Sequence, residues 1–250
     1  MVKAIVGACW GDEGKGKITD MLAADADIVI RFQGGSNAGH TIINDYGKFS
    51  LHQMPSGIFN KNTVNIIGNG VAFNVPYFVK ELNYLKENGI HDPKILISDR
   101  VQLLMPYHIL FDTYEEARLS DKQFGSTKSG IAPFYSDKYA KTGIQICDLF
   151  HEDILRERIN SACEIKNILL EHLYKKPKLD PEKIFSEVIE YKEIIAPYIV
   201  NTAEYLNKAL KEGKNILLEG QLGALKDPDH GIFPMTTSSS TLAGFASIGA

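Results

Sequence analysis

The sequence predicts an α/β protein built on a mainly parallel sheet, and three observations carry that expectation. Short apolar runs of the kind found in buried strands alternate with segments of helical periodicity. The first run breaks into a glycine-rich loop that leads straight into a helix, a phosphate-loop-like start. Further glycine turns follow later strands, at the carboxyl ends where open α/β sheets take their ligands.

Val2 to Ala8 is a short apolar run closed by glycines, and beyond it Ile18, Met21 and Leu22 fall at helical spacing within Ile18 to Ala24. Ile28 to Phe32 is a second strand. Thr41 to Leu51 reads as a hairpin with Asp45 and Gly47 at its turn. Val64 to Ile67 is a strand ending before Gly68 and Gly70, and Lys94 to Ser98 is another. Between them Pro76 to Asn88 is a helix, with Pro at its start, Gly89 just past its end, and Val79, Leu82 and Leu85 on one stripe. His151 to Gly213, rich in Lys and Glu and punctuated by Pro177, Pro181 and Pro197, is expected to be a helical insertion, after which the sheet resumes at Asn215 to Leu218. No linker divides residues 1–250, so a single α/β domain is expected.

With 250 residues, 44% of them apolar and 23% charged, the chain can bury a core without staples. Lys and Arg number 27 against 31 Asp and Glu. A net charge of −4 offers no broad positive field for nucleic acid or an anionic membrane, so any anionic partner is small and held locally. Cys9, Cys147 and Cys163 are odd in number and form no C-x-x-C pair, which argues against a disulfide framework or a zinc site and for a reducing, cytoplasmic compartment. The opening MVKAIVGACWGDEGKGK is interrupted by glycines too early for a signal peptide or membrane span.

Against the phosphate-loop pattern G-x-x-x-x-G-K-[ST], residues 11–18 match at Gly11, Gly16 and Lys17, with Ile18 at the hydroxyl position. A glycine turn exposes backbone N–H groups to an anion, the helix that follows adds its dipole, and Lys15 and Lys17 add charge. Without the hydroxyl, a metal needs another oxygen ligand, and Asp12 is the candidate. An equally simple reading makes Asp12 the cap of the following helix. Gln33 to Thr41 is a second glycine-rich turn, and it gives His40 an address as acid or hydrogen-bond donor. The remaining histidines, at 52, 91, 108, 151, 172 and 230, show no metal-type spacing. Gly125 to Pro133 and Thr236 to Thr241 could bind phosphate oxygens or be plain loops.

Taken together, Trp10 to Lys17 (W-G-D-E-G-K-G-K) and Gly34 to Thr41 (G-G-S-N-A-G-H-T) resemble the signature of the adenylosuccinate synthetase family, GTP-dependent ligases that join L-aspartate to IMP. The likeness continues in order through residues 55–58, 67–70, 126–133, 137–138, 148–150, 218–220 and 229–239. The resemblance implies that Asp12 takes the N1 proton of IMP and, with the carbonyl of Gly39, ligates Mg²⁺. It implies that His40 acts as acid on O6 and the transferring phosphoryl group. By the same resemblance Gly11, Asp12, Glu13, Gly14, Lys15, Gly16 and Lys17, with Gly39, His40 and Thr41, hold GTP. IMP is expected at Asp12, Glu13, Gly14, Lys15, Asn37, Ala38, Gly39, His40, Thr127, Lys141, Leu222 and Thr237. The two signature loops are expected at adjacent strand ends, with Asp12 and His40 facing one cleft.

The sequence departs from the family in three places. Lys141 replaces an arginine given across a homodimer interface to the IMP phosphate, and it loses the bidentate fork. The family's E-G-A-Q-G reads Glu219-Gly-Gln221-Leu222-Gly223, so Leu222 takes the position of an IMP-contacting glutamine. The sequence also ends before the family's aspartate loop and guanine-recognition segment. The alternative to an active ligase is therefore an inactive or incomplete nucleotide-binding member of the same family.

Overall fold

The computed structural model describes all 250 residues. In chain order the elements are β1 (Val2–Gly7), α1 (Lys15–Ala23), β2 (Ile28–Arg31), β3 (His40–Asn44), β4 (Gly47–Leu51), β5 (Val64–Ile67), β6 (Ala72–Phe73) and α2 (Val75–Glu87). They continue with β7 (Ile95–Ser98), β8 (Gln102–Leu103), α3 (Pro106–Leu119), α4 (Ile131–Ala140), α5 (Glu152–Leu169) and α6 (Pro181–Ile195). β9 (Ile199–Val200), α7 (Thr202–Lys211), β10 (Ile216–Gly223) and α8 (Ala246–Gly249) complete the chain. None of the helices is long and apolar enough to cross a membrane.

Six strands form one sheet in the order β1-β10-β2-β5-β7-β9, and every pairing within it is parallel. The expected α/β architecture is thus the observed one. The central strands read as apolar runs because both faces are covered. Ile28 and Ile30 of β2 join Ile216 and Leu218 of β10 in a cluster with Ala209 of α7 and Ala246 of α8. Val29 and Leu217 face the other way, against Ala23 of α1. Fully burying an aliphatic side chain of this kind contributes about 1.5–3 kcal/mol, and Val29, Ile30, Ile66 and Ile97 are all at 0% exposure. The largest core cluster lies under the β3–β4 hairpin and joins α2, α5 and α6.

The structure differs from the sequence reading in four respects. α1 begins at Lys15 and not at Ile18, because Gly14 at φ 88° turns the chain directly into the helix and a first turn needs no apolar residue. β9 lies inside the stretch expected to be helical and pairs with β7, so the sheet takes its edge strand from there; two residues are too few to show a period. α3 and α4 occupy segments in which no helix was expected. Finally, β1 and β2 are not neighbours: β10 runs between them.

Candidate active site

The loop after β1 and the loop after β2 flank the carboxyl end of β10, so the two glycine-rich loops meet around these three strand ends. Gly14 is the cap residue of α1, and no side chain caps that helix. Asp12 is exposed and its carboxylate has no hydrogen-bond or ion-pair partner, so the structure gives the helix-cap alternative no support. Glu13 folds back on the loop, accepting the Cys9 N–H at 2.7 Å. Its slight burial raises the carboxyl pKa, but the Cys9 amide and its neighbours outweigh this and hold it below the ordinary value. Lys15 is buried and donates to the Gly11 carbonyl at 2.6 Å, which closes the loop on itself. Burial lowers the pKa of that ammonium, while Glu13 opposes the shift. Lys17 and Thr41 are exposed.

His40 is the first residue of β3 and is only 7% exposed. It packs on the first turn of α1: a Cβ at Gly16 would stand 2.8 Å from His40 Cβ, closer than real side chains approach. Beneath it, His40 Nδ1 donates to Glu219 Oε1 at 2.5 Å. The same carboxylate accepts the Ser56 hydroxyl at 2.5 Å and the Ser56 N–H at 2.8 Å. A carboxylate only accepts, so the Nδ1 proton is committed and Nε2 is the ring nitrogen left open. Burial pushes the Glu219 pKa up, but His40, Arg31 and Ser56 outweigh it and hold the carboxyl below the ordinary range. Burial, then the Arg31 charge, hold the imidazole below its ordinary pKa, with Glu219 pulling against both.

Glu219 and its cross-strand neighbour Arg31 were not singled out in the sequence. A signal was present. Each is a charged residue that ends an apolar strand run, Ile28-Val29-Ile30-Arg31 and Ile216-Leu217-Leu218-Glu219. Both side chains are buried, and Arg31 Nε and Nη1 have no hydrogen-bond partner.

The loop after β2 is tied down from two sides. Gln221 sits at 0% exposure and bonds Gly35 and Ala38, while Tyr135 of α4 accepts the Gly34 N–H at 3.2 Å and donates to the Gly70 carbonyl at 2.7 Å. Asn37 is half-buried with its side-chain carbonyl unpartnered. Leu222 lies at a bulge, since β10 advances from Glu219 to Gly223 while β1 advances from Ile5 to Gly7. It adopts φ 60° and presents backbone, not a polar side chain, to Gly11. Thr127 is exposed, its hydroxyl bonded to Ser129 Oγ at 3.0 Å, in the loop that leads into α4. Thr237 is half-buried and donates its N–H to the Lys226 carbonyl at 2.8 Å. Lys141 does not join this group: it is exposed at the far end of α4, about 15 Å along the helix from Ile131, which packs toward Gly35.

No cluster of three or more acidic, His or Cys side chains could hold a metal ion unaided. The free carboxylate of Asp12 suits a hard cation that completes its shell with phosphate oxygens and water, as Mg²⁺ does.

Residues 4–250 match the family model for adenylosuccinate synthetase. The chain is 46% identical over 242 residues to the adenylosuccinate synthetase of Halothermothrix orenii, covering 97% of this chain and 56% of that protein. Among solved structures it is similar to fully ligated adenylosuccinate synthetase from Plasmodium falciparum, at TM-score 0.86 and 34% identity, covering 99% of this chain and 57% of that one. A cyanophage S-2L succinoaminodeoxyadenylate synthetase shares the fold, at TM-score 0.62 and 17% identity, covering 99% of this chain and 59% of that one. The chain thus spans little more than half the length of the curated relatives it matches.

Proposed function

The chain belongs to the adenylosuccinate synthetase family, and on that premise we propose that the protein performs the GTP-dependent ligation of L-aspartate to IMP through 6-phosphoryl-IMP, a step of de novo AMP biosynthesis. The observation that carries this reading is the pairing of an unpartnered carboxylate, Asp12, in the loop after β1 with a histidine held by a buried carboxylate beside the first turn of α1.

A purine 6-oxo group is a poor leaving group, so O6 is first made nucleophilic and phosphorylated. Asp12 takes the N1 proton of IMP, which puts negative charge on O6. O6 attacks the γ-phosphorus of GTP and the bond to GDP breaks. The aspartate amine then attacks C6 and expels phosphate. His40 acts in its doubly protonated form: Nδ1–H is committed to Glu219, whose carboxylate favours the charged ring, and Nε2–H donates to the charge that develops on O6 and the moving phosphoryl group. The backbone of Gly11 to Lys17, with Gly39 to Thr41, cradles the GTP phosphates. Asp12, Glu13, Gly14 and Lys15, the Asn37 to His40 stretch, Thr127 and Thr237 hold IMP, while Leu222 offers it no polar side chain. Mg²⁺, held by Asp12 and the Gly39 carbonyl, would supply charge neutralisation on the nucleotide. Lys141 stands too far along α4 to serve its own site, so a homodimer in which it reaches the other copy's IMP phosphate is part of the reading. The partners are small molecules, with no nucleic acid or membrane, in the cytoplasm.

The test is adenylosuccinate formation from GTP, IMP and L-aspartate by the full-length protein. Asp12→Asn keeps the size but not the basicity of the side chain, and turnover is expected to fall ~10²–10⁴-fold, with much less effect on IMP binding. Near wild-type turnover in Asp12→Asn would refute the base assignment. GTP binding without turnover in the unmutated protein would favour the incomplete nucleotide-binding alternative.

A further inference from the structure

We propose that Gln221 is a positioning residue for the IMP half of the site, its carboxamide setting the path of the Gly34 to Ala38 loop. The identity of the ligand rests on the function proposed above; the latch itself rests on geometry. Gln221 Oε1 accepts the Gly35 N–H at 2.8 Å, and Nε2 donates to the carbonyls of Gly35 at 3.0 Å and Ala38 at 2.9 Å. Both amide hydrogens and the carbonyl oxygen are therefore engaged with loop backbone, and no donor on the side chain is left for a ligand. The fit is close enough to dictate sequence on the loop: Gly34 adopts φ 78°, and a Cβ there would run into Gln221 Oε1. The Gln221 main chain takes part as well, its carbonyl accepting Gln33 Nε2 at 2.7 Å.

The consequence is selective. Residues 34–38 depend on Gln221 for the partners of three main-chain groups, and they carry Asn37 and Ala38, assigned to IMP. From His40 onward the chain is held by the β3–β4 ladder, in which His40 pairs with Leu51 and Thr41 with Ser50. Loss of the carboxamide therefore loosens the IMP side while the ladder keeps the nucleotide-triphosphate side. A role in stability alone would weaken both sides together.

The experiment uses the full-length protein and two readouts. In Gln221→Ala, KM for IMP is expected to rise about tenfold, the scale set by leaving buried polar groups unpartnered, with KM for GTP within about twofold. Gln221→Glu keeps the size but turns an acceptor toward the Gly35 and Ala38 carbonyls, and it should show the same split if Gln221→Ala fails to fold. Hydrogen exchange supplies an arm that needs no activity: the Gly35 amide is protected in the unmutated protein and loses protection in the variants. Equal changes in the two KM values, no change in either, or a Gly35 amide that exchanges like an exposed one would overturn the proposal. If the unmutated protein forms no adenylosuccinate, the functional reading fails, and the exchange contrast at Gly35 still decides the latch.

Discussion

A guanidinium buried without hydrogen bonds on Nε and Nη1 needs negative charge nearby, and Arg31 has Glu219 as its cross-strand neighbour. Burial lowers the Arg31 pKa, with Glu219 first and Glu81 second in opposing it. Glu219 thus serves two partners, the fixed charge of Arg31 and the Nδ1–H donor of His40. Glu219→Gln keeps the shape and removes the charge. Because it removes the nearest negative charge from a buried guanidinium, it is expected to cost up to about 3–5 kcal/mol of stability, the scale of leaving a buried charge uncompensated, read as a shift of the urea midpoint. A loss below about 1 kcal/mol would mean that Glu81 alone balances Arg31.

At the level of elements, the start of α2 shows how a helix terminus is held by more than its cap. Asn74 accepts the Tyr77 N–H at 3.0 Å, and Pro76 occupies the first turn where no donor is needed. The Asn74 backbone is also clamped, its N–H donating to Gln53 Oε1 at 2.8 Å and its carbonyl accepting Gln53 Nε2 at 2.8 Å. Asn74→Ala removes only the cap and is expected to cost about 1 kcal/mol. Gln53→Ala leaves the buried Asn74 N–H unpartnered and takes one of two donors from the Asn74 carbonyl, which keeps the Phe78 N–H, and should cost more, about 2 kcal/mol. Equal losses for the two variants in thermal or urea unfolding would show that the clamp contributes nothing beyond the cap.

Across the whole molecule, α3, α4 and α5 are tied by one buried polar cluster. His108 Nε2 donates to Asp137 Oδ2 at 2.9 Å, Lys166 bonds the same carboxylate at 2.7 Å, and His108 Nδ1 accepts the Met105 N–H at 3.0 Å. Burial holds His108 below its ordinary 6.5, with Asp137 opposing. The unfolded chain therefore binds a proton there before the folded one does, so stability is full above 6.5 and falls as pH drops through 6.5 toward the folded value. Burial of Asp137 raises its pKa, but His108 and Lys166 outweigh this and hold it below 3.8. Its contribution is present above 3.8 and is lost as pH falls through the lower folded value. Acid should weaken the fold in two stages, and His40, also held low by burial, adds to the first. A urea midpoint that stays flat from about pH 7.5 to about pH 5 would rule out the first stage.

The sequence by itself determined what short spacing controls. The first strand, its glycine loop and the α1 helix, the hairpin from residue 40 to 51, and the strands at 28–31, 64–67 and 95–98 all carry local periods or turn residues. Asp12 and His40 were legible for the same reason, since each sits in a glycine-rich turn beside its strand. What only the tertiary structure decided is the place of β10 between β1 and β2. That insertion sets Glu219 against His40 across 179 residues of sequence and Gln221 against Gly35 across 186. It also turns Leu222 into a backbone contact on the loop after β1. Local periodicity says which face of a strand is buried, but parallel pairing joins segments whose order in the sheet is set by long crossovers and by the burial of both faces, and no local spacing encodes that order.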